Sequence, residues 1–167
     1  EELMEAAVST YGSLDIVMNN AGIVGSRGPI SSTDASEFKA TLDILLYGTF
    51  LGIKHAAPYM EQQKSGSIIN VASTAGVTGG LGPHVYAAAK HGVVGLTKNV
   101  AAELCRSGVR VNCIAPGSTV TPLVAAAYTD DHEAIEEVSE IVKAKSPILN
   151  RPGMPLDVAN AALYLAS

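Results

Sequence analysis

Three short apolar runs, each followed by a turn of small residues, place the strongest constraint on the fold of this chain. The runs are Leu14–Met18, Ser67–Val71 and Val109–Ala115, and the turns after them contain NNAG, ASTAG and Pro-Gly. Continuous apolar runs of this length suit β-strands that are buried on both faces, as in a parallel sheet. Because longer stretches with helical patterns separate the runs, the sequence predicts a parallel α/β fold.

The stretches between the runs carry helix signals. Asp34 followed by Glu37 resembles a capping box, and apolar residues recur after it at helical spacing. Residues 84–106 are rich in alanine, contain no proline and stop at a Ser-Gly pair, which is typical of one long helix. Pro155 and Asp157 open a last helical segment, and a loop is predicted between the third strand and that segment.

The composition indicates one globular domain and excludes several other classes. Of the 167 residues, 47% are hydrophobic and 16% are charged, and the net charge is -5. No cluster of Lys and Arg suits nucleic acid, and no apolar run reaches the roughly 18 residues of a membrane span. Cys105 and Cys113 form no disulfide framework, and no Cys/His spacing suggests a metal site. We therefore expect a reduced, cytoplasmic protein without metal, nucleic acid or membrane partners.

The combination with most chemical content is Ser73, followed thirteen residues later by Tyr86 and then by Lys90 in the segment YAAAK. Tyr86 and Lys90 are four residues apart on a predicted helix, so their side chains lie on one face. A nearby ammonium favours the phenolate and lowers the tyrosine pKa from its usual value of about 10. Ser73 follows a strand at the carboxyl edge of the sheet, the usual ligand position in open α/β folds. The three residues could therefore supply a hydrogen bond to a reacting oxygen, an acid/base and a pKa-tuning cation.

Each of these features alone has a simpler explanation. A Tyr-x-x-x-Lys pair is more often a solvated pair on a helix, and a serine at a strand end most often caps a backbone group. Asn19 and Asn20 alone would be turn formers. The order of the motifs favours the functional interpretation, because NNAG, the serine, YAAAK and RVNCIAPG each fall at the expected end of an element.

With these motifs, the chain resembles the short-chain dehydrogenase/reductase family, in its simple single-domain type. The resemblance runs from the first helix to the tail NRPGMPLDVANAALYLAS, and the segment GGLGPHVYAAAKHGVVGLTKNVAAEL is similar to plant secondary-alcohol dehydrogenases. It implies a Rossmann-like, doubly wound parallel sheet over residues 1–167, with a substrate-binding loop at 122–150. It also implies that this domain is partial, with the first three strands and the last strand missing.

The resemblance implies roles for particular residues. Ser73 would orient the substrate oxygen, Tyr86 would be the general acid/base, and Lys90 would also hold the nicotinamide ribose. The remaining residues implied to bind the cofactor are Asn20, Ala21, Gly22, Pro116, Gly117, Thr119 and Thr121. NAD is the expected cofactor, with NADP as the alternative, and the expected substrate is a secondary alcohol or ketone. The two long helices, about 34–64 and 84–106, imply a homodimer or homotetramer.

Two departures from the family pattern bear on activity. The family usually has an asparagine three residues before a glycine in the helix before the second strand, where it helps to hold a water that relays protons to the lysine; this chain has Leu45 there. The glycine-rich phosphate loop and the residue that separates NAD from NADP are absent. Loss of the neighbouring strands would leave the strand before NNAG as an unpaired apolar edge, so we expect the isolated piece to be unstable or sticky.

The leading hypothesis from the sequence is an oxidoreductase that moves a hydride between a nicotinamide cofactor and a secondary alcohol or ketone. The alternative is a non-catalytic, truncated family member that acts through its dimerisation helices. A third, an isomerase or dehydratase on the same scaffold, is less favoured, because NNAG together with Pro-Gly suits simple dehydrogenases better.

Overall fold

A computed structural model describes residues 1–167, which form two compact units. The first unit comprises residues 1–115 and 165–167, and the second comprises residues 116–164. No helix in the structure is both long enough and apolar enough to cross a membrane.

The first unit alternates helices with three strands, as the pattern of apolar runs predicts. Three single 3₁₀ turns, at residues 30–32, 74–76 and 105–107, connect some of the longer elements, and one π-helical turn interrupts a helix. The elements are α1 (Glu2–Tyr11), β1 (Ile16–Asn19), α2 (Ala35–Leu42), the π-helical turn (Asp43–Tyr47), α3 (Gly48–Gln63), β2 (Gly66–Val71), α4 (His84–Leu104) and β3 (Val109–Ile114).

The three strands form one parallel sheet in the order β1-β2-β3. Val17 pairs in register with Ile68, and Ile68 pairs with Val111, so these three side chains share one face. That face packs in one buried cluster with apolar residues of α1, α3 and α4, including Met60 and Leu104. The predicted parallel α/β fold is confirmed.

The opposite face of the sheet carries polar anchors beside exposed apolar residues. Ile16 pairs with Ser67, which pairs with Arg110. The Ser67 hydroxyl donates to the Leu165 carbonyl over 2.8 Å, and the Arg110 guanidinium donates to the same carbonyl over 2.6 Å. Ile16 and Met18 remain 51% and 39% exposed on the edge strand β1. The apolar edge expected at this strand is therefore present.

The capping box predicted at α2 forms only in part. The Asp34 carboxylate accepts hydrogen bonds from the Ser36 hydroxyl and from the backbone N–H groups of Glu37 and Ser36, and these lower the pKa of Asp34. The Glu37 carboxylate accepts instead from the Ser26 hydroxyl over 2.7 Å. Asp34 begins the helix as predicted, whereas Glu37 ties the loop after β1 to it.

The second unit contains α5 (Pro122–Thr129), α6 (Ile135–Lys145) and most of α7 (Pro155–Ala166), whose residues 165 and 166 belong to the first unit. The prediction of a loop between β3 and the last helix is therefore wrong. Thr121 caps α5 by accepting from the Val124 N–H, and proline suits the first position of a helix. A buried cluster of Val120, Ala125, Val138 and Val142 holds α5 against α6. The Lys145 ammonium also lies 4.1 Å from the ring centroid of Tyr128.

Candidate functional site

Ser73 lies in the turn that follows β2 and is almost completely buried. Its hydroxyl oxygen accepts a hydrogen bond of 3.1 Å from the Ala75 N–H and so caps the 3₁₀ turn Thr74–Gly76. A hydroxyl that accepts one hydrogen bond still has its own proton to donate. The capping role and a contact to a ligand oxygen are therefore compatible, because they use different parts of the same group.

Tyr86 and Lys90 lie one helical turn apart near the start of α4. The helix begins at His84, directly after Pro83 in an extended conformation, so Tyr86 is in its first turn. The Lys90 ammonium lies 5.7 Å from the centroid of the Tyr86 ring. The expectation that both side chains share one helical face is confirmed by this distance.

The Lys90 ammonium is buried and held by the end of a strand. The side chain is only 5% exposed, and its Nζ donates to the Val71 carbonyl oxygen over 2.7 Å. Burial lowers the pKa of Lys90 to about 8, because the charged form loses hydration. An ammonium has three protons, and this hydrogen bond uses one of them.

The segment NNAG follows β1 at the same edge of the sheet. Asn19 pairs in register with Asn70, so β1 and β2 end at the same level. Asn20, Ala21 and Gly22 are exposed there, as a ligand-binding turn requires. A Cβ at Gly22 would lie 3.2 Å from a terminal methyl carbon of Leu45, so this turn packs closely on the helix opposite.

Leu45 lies in the π-helical turn that separates α2 from α3. The sequence predicts one regular helix through this region, and the structure corrects that prediction with a π-helical turn at Asp43–Tyr47. Leu45 is 1% exposed, and the Thr49 hydroxyl donates to its carbonyl over 2.8 Å. π-Helical turns interrupt helices most often at functional sites. The leucine therefore fills, with apolar atoms, the position at which the family pattern has an amide.

A chain of buried polar side chains, which the sequence analysis missed, lies under the site. The side-chain amide of Asn19 donates to the side-chain amide oxygen of Asn70 over 2.8 Å, and the amide nitrogen of Asn70 donates to the Thr97 hydroxyl over 2.9 Å. Thr97 in turn donates to the Val93 carbonyl over 2.7 Å. Asn70 was the available signal, because an amide inside a doubly buried strand needs polar partners. The chain ties β1 and β2 to α4.

The four predicted cofactor residues after β3 belong to the second unit. Pro116 and Gly117 open it, and the Thr119 hydroxyl donates to the Gly117 carbonyl over 3.2 Å. Thr119 also forms an isolated parallel bridge with Gly153, and the Thr121 hydroxyl caps α5. Both threonine hydroxyls therefore have local structural partners.

Within the first unit, the structure brings together three of the predicted groups at one sheet edge. Ser73 follows β2, the Lys90 ammonium holds the last residue of β2, and Tyr86 is one turn from Lys90 on α4. A phenol beside a buried ammonium and a hydroxyl with a proton to donate can move a proton to or from an oxygen bound between them. The arrangement suits acid/base chemistry at an alcohol or carbonyl.

Comparison with protein families gives a match along the whole chain. The family model described as enoyl-(acyl carrier protein) reductase matches residues 1–167. Among curated proteins, xanthoxin dehydrogenase of Arabidopsis thaliana is 42% identical over 98% of this chain and 59% of its own length. Zerumbone synthase of Zingiber zerumbet is 46% identical over 94% of this chain and 60% of its own length. The chain thus spans about three-fifths of the curated relatives it matches.

Solved structures resemble the chain to the same extent. Levodione reductase superposes with a TM-score of 0.88 at 38% identity, over 99% of this chain and 64% of the other. The protein ElxO, solved with NADP bound, superposes with a TM-score of 0.86 at 30% identity, over 99% of this chain and 65% of the other. The sheet and its helices therefore have the arrangement of known reductases.

Proposed function

The chain belongs to the short-chain dehydrogenase/reductase family of oxidoreductases, and from this premise we propose that it forms the catalytic half of an enzyme acting on a secondary alcohol or ketone. The reaction is hydride transfer between the substrate carbon and a nicotinamide cofactor. The observation that carries the proposal is the position of Lys90, whose buried ammonium lies beside Tyr86 and holds the end of the strand before Ser73.

In the proposed reaction, Tyr86 exchanges a proton with the substrate oxygen. In the direction of oxidation, the phenolate of Tyr86 would accept the proton of the substrate hydroxyl. The hydride would leave the carbon that bears this hydroxyl and pass to the nicotinamide. The Ser73 hydroxyl donates a hydrogen bond to that oxygen and fixes its position. The Lys90 ammonium lies 5.7 Å from the centroid of the Tyr86 ring, where its positive charge would attract the negative charge of the phenolate.

The first unit has groups that fit the nicotinamide end of the cofactor. Two protons of the buried Lys90 ammonium have no acceptor in the chain, and ribose hydroxyls would supply acceptors. Tyr86 would contact the same ribose beside Lys90. Asn20, Ala21 and Gly22 form an exposed turn at the same sheet edge. The cofactor, when bound, supplies or accepts the hydride. NAD is the proposed form, and the NADP bound by ElxO makes NADP the alternative.

For the second unit, the family pattern assigns nicotinamide binding to Pro116, Gly117, Thr119 and Thr121, and substrate binding to residues 122–150. That segment exposes Leu123, Tyr128, Ile135, Ile148 and Leu149. These side chains suit an apolar substrate, and two of the relatives are named borneol dehydrogenases.

Self-association through α3 and α4 completes the proposal. A groove between these helices and the π-helical turn is lined mainly by apolar residues: Leu42, Asp43, Leu46, Tyr47, Phe50, Gly92, Gly95, Leu96 and Asn99. Tyr47 and Phe50 stack there with ring centroids 5.7 Å apart and remain partly exposed. A second copy that packs its own groove on this one would bury both rings, so we propose a homodimer or homotetramer.

Leu45 supports a second candidate function. A leucine cannot hold the water that the family asparagine holds, and it fills its site with apolar atoms. The second candidate is a non-catalytic chain that pairs with intact relatives through the same two helices. Intact Ser73, Tyr86 and Lys90 favour the enzyme over this candidate.

One set of measurements separates the two functions. NADH and NADPH are titrated into the purified 167-residue chain by fluorescence, and oxidation of borneol with NAD or NADP is followed by absorbance. Because the glycine-rich phosphate loop is absent from these residues, we expect weak but saturable binding and slow turnover. Tyr86→Phe should lower that turnover by at least about 100-fold and leave binding unchanged. Folded protein that binds neither cofactor would reject the enzyme. Equal turnover by Tyr86→Phe would reject the role of Tyr86.

A further inference from the structure

Gly76 makes a backbone-to-backbone contact with the helix that carries Tyr86 and Lys90. It is buried at the end of the turn that Ser73 caps. A Cβ built on Gly76 would lie 2.6 Å from the Lys90 carbonyl oxygen and 2.7 Å from its carbonyl carbon. Backbone atoms inside a helix cannot rotate away as a side chain can. Any side chain at this position would therefore push the turn and α4 apart.

The same short segment is attached to Lys90 at its other end. The Lys90 ammonium holds the Val71 carbonyl at 2.7 Å, while the Gly76 N–H donates to the Ser73 carbonyl at 2.8 Å. Residues 71–76 thus contact one lysine twice, through its ammonium and through its backbone. Ser73 lies between the two contacts, so its position relative to α4 depends on both.

Gly82 makes a second close approach, on the ring of Tyr86. Its φ is +67°, a conformation that L side chains rarely adopt. A Cβ on Gly82 would lie 3.1 Å from Cδ1 of Tyr86 and 3.8 Å from the Cβ of Ala75. The Gly82 backbone therefore lies against both the Tyr86 ring and the turn that holds Ser73.

We propose that Gly76 and Gly82 are positioning residues: Gly76 sets the separation between the Ser73 turn and α4, and Gly82 sets the position of the Tyr86 ring. The proposal rests on the proposed acid/base function of Tyr86, and it adds which residues hold the Tyr86 ring and the Ser73 turn at their positions. Acid/base transfer needs heavy atoms within hydrogen-bond reach. A displacement of about 1 Å can cost up to about 100-fold in rate. The two glycines act by the absence of a side chain.

The chain contains a matched control for each glycine. Gly79 lies in the same segment as Gly76, has no left-handed φ and has no atom within 4 Å of a built Cβ. Gly80 has φ +81°, close to that of Gly82, and likewise has open space around a built Cβ. Gly79→Ala therefore controls for Gly76→Ala, and Gly80→Ala controls for the backbone strain of Gly82→Ala.

The test compares these four variants in the 167-residue chain with tyrosine labelled by ¹³C at Cζ. The Tyr86 resonance is assigned with Tyr86→Phe, and its ¹³C chemical shift is compared between the variants at neutral pH. We expect this chemical shift to change in Gly76→Ala and Gly82→Ala, because the phenol moves relative to the Lys90 ammonium. Gly79→Ala and Gly80→Ala should match the unsubstituted chain.

Turnover of borneol with NAD supplies the second readout. We expect kcat to fall about tenfold or more in Gly82→Ala relative to Gly80→Ala, with KM changed less than about twofold. A Gly82→Ala variant that matches Gly80→Ala in the Tyr86 chemical shift and in kcat overturns the proposal. If Gly76→Ala folds and matches Gly79→Ala in both readouts, the role of Gly76 is rejected. If Gly76→Ala does not fold, the comparison of Gly82→Ala with Gly80→Ala decides whether the proposal holds.

The outcomes also separate this inference from the proposed function. An unsubstituted chain without turnover, but with a Tyr86 chemical shift that changes in Gly76→Ala and Gly82→Ala, would reject the enzyme and retain the positioning. A chain with turnover, in which these variants leave the chemical shift and the rate unchanged, would retain the enzyme and reject the positioning.

Discussion

The Lys90 ammonium of α4 donates a 2.7 Å hydrogen bond to the carbonyl of Val71, the last residue of the central strand β2. Lys90 is four residues after Tyr86, and Val71 is two residues before Ser73. This one hydrogen bond therefore connects the helix that carries the proposed acid/base to the turn that carries the proposed oxygen ligand. The connection has a cost, because the cation is almost completely buried.

Lys90 should make stability depend on pH in the alkaline range. Its pKa is lowered from 10.5 to about 8 in the folded chain, so between these values the unfolded chain binds more protons. The unfolding free energy therefore rises with pH in that window, and below about pH 8 the contribution of Lys90 is constant. Relative to Lys90→Met, we expect the unsubstituted chain to gain up to about 3 kcal/mol between pH 8 and 10.5. Urea denaturation at several pH values measures this gain.

The control for this prediction is Lys98→Met, which removes an exposed lysine from the same helix. It should follow the pH dependence of the unsubstituted chain. A constant difference between Lys90→Met and the unsubstituted chain across the window would show that Lys90 does not titrate there.

Asn70→Ala should destabilise the first unit. The substitution removes the acceptor of the Asn19 side chain and a donor to the Thr97 hydroxyl, although Thr97 keeps its hydrogen bond to the Val93 carbonyl. We expect a loss of about 1–3 kcal/mol in unfolding free energy, measured by urea denaturation. Asn160→Ala, at an exposed asparagine of α7, should change stability by less than about 0.5 kcal/mol. Equal effects of the two substitutions would contradict a structural role for the buried network.

Leu45→Asn tests whether the leucine limits activity. An amide at this buried position should lower the unfolding free energy by about 1–3 kcal/mol, because it loses hydration. It should also raise kcat for borneol, since an asparagine can hold a water beside the site. Leu45→Ala is the control, because it removes the apolar atoms beyond Cβ without adding a polar group. If kcat of Leu45→Asn is no higher than that of Leu45→Ala, the leucine does not limit turnover.

Phe50→Glu should abolish self-association. Phe50 lines the groove between α3 and α4 and stacks on Tyr47, so a carboxylate there would be buried without a partner in an oligomer. Size exclusion with light scattering should show the monomer for Phe50→Glu and a dimer or tetramer for the unsubstituted chain. Tyr11→Glu, at an exposed aromatic of α1, should leave the oligomer intact. A monomeric unsubstituted chain would reject this part of the proposal.

The sequence predicted the strands more fully than it predicted the helices. The three apolar runs became β1, β2 and β3 within two residues of the predicted bounds, and Asp34 caps α2 as predicted. Helices α5 and α6 were missed, because segment 122–150 was interpreted as one loop. Thr121 before Pro122 was the available signal for a helix start.

The candidate site divides in the same way. The spacing of Ser73, Tyr86 and Lys90 was visible in the sequence, because a turn and one helical repeat fix their neighbourhood. The π-helical turn at Leu45 was not visible, since helical periodicity does not report an inserted residue. Asn19, Asn70 and Thr97 come from two strands and a helix, so only their packing brings them together.

The sequence by itself therefore determined the order of the three strands, the family, and the spacing of Ser73, Tyr86 and Lys90, the three residues proposed for acid/base chemistry. Each of these depends on signals within a few residues, where periodicity and capping act. Only the tertiary structure decided that Lys90 is buried against Val71 and that Gly76 and Gly82 contact the helix of Tyr86. Such contacts depend on the distance between packed backbones, and that distance is set by side-chain volumes from several elements at once.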